Sequence, residues 1–265
     1  MSMTAMDTES LELLDDALRK TMASTSGAEL DAALVELGWR EMLDEMPDIA
    51  IPLVFTALGE TGAHAPVLND VMLRAAGRDA GATLPLPFAG GGWVVWERSN
   101  RPTAALDSEL PIHRVPAGDT TALAAGRAAL AWWLIGTSRA MLRLARRHAL
   151  DRVQFGRPIA SFQAVRHRLA ETLVAIEGAE ATLQFASDDL GAVLAKAAAG
   201  QAALTAARHC QQVHGGIGFT AEHDLHRHIR RALMLDALLG SSRELTRQAG
   251  AFVRNKRSAP RLANL

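Results

Sequence analysis

The stretch Gln211-Gln-Val-His-Gly-Gly-Ile-Gly218 is the part of the chain that says most about the fold. It follows a long helical pattern, and its adjacent glycines, with a third close by, make a turn that is nearly free of side chains. Glycine accepts positive φ angles and lets another group approach the main chain closely. Such a turn is either an elbow between two helices or a surface on which a ligand rests. Two glycines alone do not distinguish these cases.

The sequence on both sides of this turn is helical in pattern over 120–254. The predicted helices run from a cap at Asp119, Thr120 or Thr121 to about Leu150, from a cap at Ser161 onward, from about Gly191 to Val213, and twice within 221–254. The second of these helices carries one apolar stripe, formed by Val165, Leu169, Leu173 and Ile176. Long helices joined by short connections predict a C-terminal four-helix bundle, followed by a basic tail at 255–265.

The first 119 residues predict two further regions. Residues 1–76 are expected to be helical, with helices over 9–24, 28–43, 52–62 and 67–76 and chain breaks at Pro47 and Pro52. Residues 77–119 hold short β-prone runs between glycines and prolines, at 82–88, 92–97 and 110–115. The predicted fold is therefore mainly α, with N-terminal helices, a strongly reduced central β-region and the C-terminal bundle.

Composition narrows the class of protein. The 265 residues carry a formal net charge of −1, which gives no general reason to expect nucleic acid or an anionic membrane as a partner. The single cysteine, Cys210, excludes an internal disulfide framework and is expected to be a core thiol. The first ten residues lack the pattern of a signal peptide, and the longest apolar run is too short to span a bilayer. We therefore expect a cytoplasmic protein.

Two segments of the predicted bundle carry a family resemblance. The first is Arg152-Val-Gln-Phe-Gly-Arg-Pro-Ile-Ala-Ser-Phe-Gln163, and the second is Gln212-Val-His-Gly-Gly-Ile-Gly-Phe219, followed by Glu222 and Arg230. Together they resemble the C-terminal helical domain of the acyl-CoA dehydrogenase flavoproteins, which has Arg-x-x-Phe-Gly, then Phe-Gln, and later Gln-x-x-Gly-Gly-x-Gly. A weaker likeness to the family's N-terminal helical domain covers 28–75.

The resemblance implies an oligomeric flavoprotein that binds FAD. In the family, the residues of these motifs contact the ADP half of a flavin that is held mainly by a neighbouring subunit. The corresponding residues here are Arg152, Gln154, Phe155, Gln163, Gln212, Gly215 and Gly216. The residue types suit this role, because a guanidinium matches a pyrophosphate, a phenyl ring packs against a flat ligand, and a bare turn exposes backbone amides. Without the family pattern, Arg152 would be interpreted as a surface charge and Phe155 as a core residue.

The chain departs from the family pattern at the catalytic base. Family members remove the α-proton of an acyl-CoA with a glutamate while the flavin accepts a hydride from the β-carbon. Leu239 stands at the position of that glutamate in most members, and Gly126 stands at the position that a minority use instead. Neither residue can take a proton, so we expect no catalytic residue in this chain. The region 77–119 is also less than half the usual size of the family's β-domain, and it shows no flavin-binding signature.

These departures lead to one hypothesis and one alternative. The hypothesis is that the chain is the non-catalytic subunit of a heteromeric acyl-CoA dehydrogenase of the α2β2 type, whose partner supplies the glutamate and most of the acyl-CoA site. Family members of this kind act on CoA thioesters of steroid side chains and rings. The alternative is a decayed structural or regulatory relative. DNA binding would need a basic face, for example around Arg143, Arg146 and Arg147 or within 227–231, and the near-zero net charge argues against it.

Other polar residues are weighed as candidates. Asp236 and Glu244 lie near Leu239, but a surface carboxylate is the expected role of each rather than that of a displaced base. His223, His226 and His228 suggest a metal cluster. However, residues two apart on a helix point to different faces, so we expect solvated histidines and no metal site.

Overall fold

The computed structural model describes residues 8–98, 105–118, 123–184, 186 and 188–259. Five helices come first. They are α1 (Thr8–Ser24), α2 (Gly27–Glu36), α3 (Trp39–Glu45), α4 (Pro47–Thr61) and α5 (Val67–Ala75). The prediction of one helix over 28–43 is wrong because Gly38 adopts a left-handed conformation, with φ of 82°, and separates α2 from α3. This turn lets Trp39 point into the core, where its ring packs edge-on against Phe55.

The prediction that Pro52 breaks the chain is also wrong. Helix α4 begins at Pro47, a position where proline is well tolerated, and continues through Pro52. A proline inside a helix removes one backbone hydrogen bond. The side chains of Val54, Phe55 and Leu58, which follow Pro52 in the helix, are completely buried, and this burial offsets the lost hydrogen bond.

The β-region is a small antiparallel sheet in the order β1 (Pro85–Phe88), β2 (Gly92–Trp96) and β3 (Ile112–Val115). Its register pairs Val94 with Leu86 on one side and with Arg114 on the other. Trp96, at the end of β2, is fully buried and stacks on Trp133 of the long helix described next, with ring centroids 5.3 Å apart. The sheet is thereby fixed to the helical core.

The C-terminal half holds the longest helices. They are α6 (Leu123–Asp151), α7 (Gln163–Gln184), α8 (Asp189–His214), α9 (Leu225–Ala237) and α10 (Ser242–Lys256). Between α6 and α7 lie the two-residue strands β4 (Val153–Gln154) and β5 (Arg157–Pro158), and short 3-10 turns span Ile159–Ser161 and Gly215–Phe219. The mainly helical fold is confirmed. One hydrophobic cluster runs through the N-terminal helices, the sheet and the bundle.

Helices α4 and α6 cross at two glycines. A Cβ atom on Gly59 would overlap the backbone at Trp133, and one on Gly136 would overlap the backbone at Thr56. No side chain therefore separates the two helices at this crossing.

Several helix ends differ from the predicted ones. Ser161 does not cap α7, because its hydroxyl donates to Pro158 O at 2.8 Å and the helix begins only at Gln163. Helix α8 begins at Asp189, slightly before the predicted start at about Gly191. Its cap is Asp188, whose carboxylate accepts from Gly191 N at 2.7 Å. Helix α10 continues to Lys256, beyond the predicted start of the tail. The predicted caps at 119–121 lie outside the described residues.

Within the described ranges, one segment is long and apolar enough to cross a bilayer, namely α8 with the turn that follows it. Most of this segment is buried inside the bundle, so its apolar character is that of a core helix.

A buried ion pair joins α9 to the segment before β3. Arg231 donates to Asp107 Oδ2 at 2.6 Å and to the carbonyl oxygens of Gly62 and Ala63 at 3.0 Å each. Its neighbour Arg227 makes a more exposed pair with Glu109 at 2.8 Å. Arg231 also donates to Glu109 Oε2 at 3.2 Å, so the two arginines share Glu109 but lie at very different depths.

We expect Arg231→Gln to lower the free energy of unfolding by about 3–5 kcal/mol, because Asp107 would remain buried without its partner. The matched change Arg227→Gln should cost at most about 1 kcal/mol, since exposed pairs contribute little. Urea unfolding of the two variants tests this difference. Equal decreases in the free energy of unfolding would contradict the view that the Arg231–Asp107 pair holds α9 to the segment before β3.

Candidate functional site

The structure brings the two sequence motifs to one end of the bundle. The C-terminal ends of α6 and α8 meet there, where the rings of His148 and His214 stack with centroids 4.6 Å apart. Arg152 follows His148 by one helical turn, and Gln212 precedes His214 by two residues. The two motifs therefore lie at the same end of the bundle although they are far apart in sequence.

The first motif forms a tight hairpin between β4 and β5. Phe155 and Gly156 at its tip both have positive φ angles, 53° and 78°, as two-residue hairpin turns require. The Phe155 ring is 92% exposed, so it is not a core residue. Beneath the tip, the Phe162 ring packs against Phe155 with centroids 6.0 Å apart and carries the guanidinium of Arg157 at 4.5 Å. The hairpin thus holds an aromatic side chain out into solvent.

The side chain of Arg152 is exposed, while its backbone is fixed. Its N–H donates to His148 O at 2.9 Å, and its carbonyl accepts from Ile159 N at 2.8 Å. Among the described residues, its guanidinium forms no ion pair and no hydrogen bond. A permanent positive charge is therefore available at this end of the bundle.

The glycine turn is open on its outer side. Gly215 has φ 64° and ψ −140°, a conformation suited to glycine, and its N–H donates to Gln212 O. A Cβ atom on Gly215 or Gly216 would have no neighbour within 4 Å. The expectation that the whole turn offers free amides is thus wrong for Gly215, whose amide ends the helix. Inside the turn, Gln211 Nε2 donates to Gly218 O at 3.2 Å and holds it closed.

The three glutamines predicted to bind the cofactor are all exposed, but they differ in their hydrogen bonds. Gln154 is exposed, but its Nε2 donates to Val153 O at 2.8 Å. Gln163 begins α7 and Gln212 lies near the end of α8, and both are exposed. The predicted residues therefore form an open, outward-facing surface rather than a pocket. A ligand on this surface would be enclosed only by a second molecule.

Sequence reasoning missed a cluster of three histidine rings, the histidine stack, beneath the glycine turn. The His148 ring stacks on the His214 ring with centroids 4.6 Å apart, and the His223 ring packs edge-on against His214 at 4.4 Å. Its Nδ1 donates to Cys210 O at 2.7 Å, and its Nε2 is buried without a partner in the described part of the chain. Burial, followed by the neighbouring His223 and His148, lowers the pKa of His214 to about 4. No spacing rule links these three residues, because the fold alone brings them together.

The two residues predicted to stand at the family's base positions, Gly126 and Leu239, also meet. A Cβ atom on Gly126 would overlap Met72 Sδ and would lie 2.7 Å from Leu239 Cδ1. Leu239 is 1% exposed and has a positive φ of 55°. Its N–H donates to Pro87 O at 2.8 Å, and its carbonyl accepts from Arg127 Nε at 3.1 Å. This point is closed by apolar side chains.

A buried lysine fixes the same loop. Lys196 Nζ donates to Asp236 O at 2.9 Å and to Gly240 O at 2.7 Å. Burial lowers the pKa of Lys196 to about 7. The loop 236–240 is therefore held from both sides, by Lys196 and Arg127.

Neither nearby carboxylate is a simple surface group, contrary to expectation. Asp236 is buried and accepts from Ser242 N at 3.0 Å. Glu244 completes the capping box of α10 with Ser241 and also accepts from Gly90 N at 2.9 Å. The backbone hydrogen bond from Gly90 holds the pKa of Glu244 below its usual value. Both carboxylates are therefore engaged in structural hydrogen bonds.

The remaining histidine and cysteine predictions have mixed outcomes. His228 is not solvated, since burial lowers its pKa to about 4 and its Nδ1 is buried without a partner among the described residues. His226 Nδ1 lies 2.8 Å from His223 O. No group of three metal-binding side chains occurs in the ranges that the structure describes. Cys210 is a core thiol, as predicted, and burial raises its pKa to about 12.

Comparison with known families agrees with this geometry. Residues 119–253, about half of the chain, match the family model described as acyl-CoA dehydrogenase, C-terminal domain. A relative from Mycolicibacterium smegmatis, acyl-CoA dehydrogenase IpdE2, is 33% identical over 252 residues, which are 92% of this chain and 77% of the relative. The chain belongs to the acyl-CoA dehydrogenase family. The IpdE2 of Mycobacterium tuberculosis is 40% identical over 164 residues, which are 58% of this chain and 52% of that relative.

Solved structures of acyl-CoA dehydrogenases share the fold. A chain of the ChsE4-ChsE5 complex from Mycobacterium tuberculosis matches with a TM-score of 0.71 and 20% identity, covering 98% of this chain and 100% of the other. The Tcur3481-Tcur3483 steroid ACAD matches with a TM-score of 0.68 and 17% identity, covering 95% and 99%. At these identities the likeness concerns the fold alone.

Members of the acyl-CoA dehydrogenase family bind FAD, and the exposed surface of this chain fits one part of that molecule. Arg152 offers a fixed charge for a pyrophosphate, Phe155 offers an exposed ring, and the turn at 215–216 is free of side chains. The residues predicted at the base position do not fit the flavin ring and acyl chain in the same way, because the buried side chain of Leu239 fills the space beside Gly126.

The histidine stack predicts a pH dependence of stability. As the pH falls from about 6.5 to about 4, the unfolded chain protonates His214 and the folded chain does not, so roughly 2–3 kcal/mol of stability is lost through this ring. We expect His214→Gln to show a shallower loss across this range, while His64 and His228, whose pKa values burial also lowers, keep part of it.

Urea unfolding between pH 4 and pH 7 measures this effect, with exposed His167→Gln as the control that keeps the full slope. An unchanged slope in His214→Gln would contradict a neutral, buried ring.

Proposed function

We propose that this chain is the non-catalytic subunit of a heteromeric FAD-dependent acyl-CoA dehydrogenase. The observation that carries the proposal is the contact between Gly126 and Leu239, because both positions at which the family places its base meet there without a carboxylate. Proton abstraction requires a positioned base, so the reaction needs one from another chain.

The packing around Gly126 leaves no room for a larger side chain, so the base is absent and its place is filled by neighbouring residues. Even a Cβ atom at Gly126 would overlap Met72 Sδ and come close to Leu239 Cδ1, so a glutamate there would require both of these side chains to move. Leu239 is held by backbone hydrogen bonds to Pro87 and Arg127, and it closes the site from the other side. The acyl-CoA is therefore proposed to bind mainly to the partner subunit.

The open surface at the other end of α6 is proposed to complete the partner's cofactor site. Arg152 would pair with the pyrophosphate of the FAD, Phe155 would pack against its adenosine side, and the bare turn at Gly215 and Gly216 would allow close approach. The glutamines Gln154, Gln163 and Gln212 would hydrogen-bond its polar edges. FAD, when bound, supplies the acceptor for the hydride from the acyl chain. The residues of this chain only bind it and keep water from it.

The small sheet supports the same division of labour. It has three short strands, whose residues fix it to α6 and to the loop 237–239 through Trp96 and Phe88. The region 77–119 is less than half the usual size of the family's β-domain, so its three short strands are proposed to be too few to cover a flavin ring. The partner is therefore proposed to provide the β-domain as well as the glutamate.

Two comparisons support the type of assembly and the substrate class. The ChsE4-ChsE5 structure is described as a complex of two named chains, and the Tcur3481-Tcur3483 structure is described as a steroid ACAD. By analogy we propose an α2β2 heterotetramer that acts in the cytoplasm on the CoA thioester of a steroid side chain or ring fragment.

The proposed function predicts that FAD stays bound only to the complex of the two subunits. We expect the chain alone to be colourless, and its complex with a family member that carries the glutamate to show flavin absorbance. Arg152→Gln and Phe155→Ala should each weaken FAD retention by roughly tenfold or more, because each removes a contact worth about 1–3 kcal/mol.

The matched control is Arg78→Gln, an exposed arginine outside the motifs, which should leave FAD retention unchanged. Flavin on the isolated chain, or wild-type retention in Arg152→Gln and Phe155→Ala, would refute the shared site. If no combination of subunits binds flavin, the decayed or regulatory alternative is favoured.

A further inference from the structure

Arg127, near the start of α6, is a buried cation with an incomplete set of partners. It is 9% exposed, and its Nε donates to Leu239 O at 3.1 Å. Its Nη2 reaches Gln248 Oε1 only at 3.5 Å, and Nη1 makes no hydrogen bond within the described ranges. No carboxylate of these ranges forms an ion pair with it, although Asp189 is near enough to act on it electrostatically. Within the part of the chain that the structure describes, this buried charge therefore lacks a counter-ion, which is a costly arrangement.

The guanidinium lines a groove of 450 Å³ between α6, α8 and α10. The walls of the groove are mostly apolar and come from Leu123, Leu190, Val193, Ala249 and Phe252. Its polar residues are Arg127, Asp189 and Gln248. A mostly apolar cavity with a few polar or charged groups is the usual composition of a site for a small amphiphilic molecule.

We propose that this groove binds a small monocarboxylate with an apolar body. A guanidinium fork matches the two oxygens of a carboxylate, and Nη1 and Nη2 are the two nitrogens of Arg127 that lack strong partners. The apolar walls accept the body of the ligand. Asp189 adds a negative charge to the lining and therefore disfavours dianions such as phosphate monoesters.

This groove is separate from the proposed cofactor surface. Arg127 and Asp151 lie near opposite ends of α6, a distance of about 36 Å at 1.5 Å per residue. None of the seven predicted cofactor residues lines the groove. The proposal therefore stands or falls independently of FAD binding and of a partner subunit.

Calorimetric titration of the full chain with 4-phenylbutyrate tests the site, and 4-phenylbutanol is the matched probe without the charge. We expect sub-millimolar binding of the carboxylate and at least tenfold weaker binding of the alcohol and of 4-phenylbutyl phosphate. Arg127→Gln should weaken carboxylate binding at least tenfold, and Asp189→Asn should strengthen it by a few fold.

Ala249→Phe fills the groove but keeps Arg127, so it tests the site even if Arg127→Gln fails to fold; it should also abolish binding. Ala23→Phe, on an exposed position of α1, is the control that leaves binding unchanged. The proposal is overturned if the alcohol or the phosphate binds as well as the carboxylate, if Ala249→Phe binds normally, or if no binding occurs.

Discussion

The burial of α6 on nearly all sides is the constraint on which the rest of the structure depends. Helix α4 crosses it in backbone contact at Gly59 and Gly136, and the sheet is fixed to it by the stacking of Trp96 on Trp133. A helix of 29 residues held in this way is a rigid rod of about 43 Å. Gly126 lies near one end of α6, in the closed contact with Leu239, and Arg152 follows the other end with its side chain exposed. The same helix therefore separates this closed contact from the exposed surface that is proposed to bind FAD.

Much of the fold could be predicted from the sequence because apolar periodicity and glycine turns report local structure directly. The misplaced elements are those that tertiary packing decides. Gly38 divides a helix so that Trp39 can enter the core, and Pro52 stays within α4 because the residues after it are fully buried. Ser161 looks like a helix cap, but the hairpin before it uses its hydroxyl for Pro158.

The candidate site could be predicted only in part. The motifs indicated the residues that would face a cofactor. In the structure Phe155 is exposed and the turn at Gly216 is open, and the contact of these residues with a cofactor stays a prediction. The sequence could not show that Gly126 and Leu239 touch, since the two residues are far apart in the chain. The hydrogen bond beside this contact, from Arg127 Nε to Leu239 O, joins residues that are 112 positions apart. The histidine stack and the buried roles of Asp236 and Lys196 are likewise products of long-range packing. In each case a polar residue was interpreted by its type, while its function depends on a distant neighbour.

The rate of flavin reduction in the assembled complex, measured after mixing with an acyl-CoA, tests the central claim most directly. The account predicts that replacing the partner's glutamate by glutamine lowers this rate by roughly 10²–10⁴-fold, the usual contribution of a general base. It also predicts that Glu244→Gln and Asp236→Asn in this chain leave the rate within a few fold wherever the complex still assembles. Loss of reduction in either of these two variants, with the partner's glutamate intact, would show that this chain supplies the base and would contradict the account.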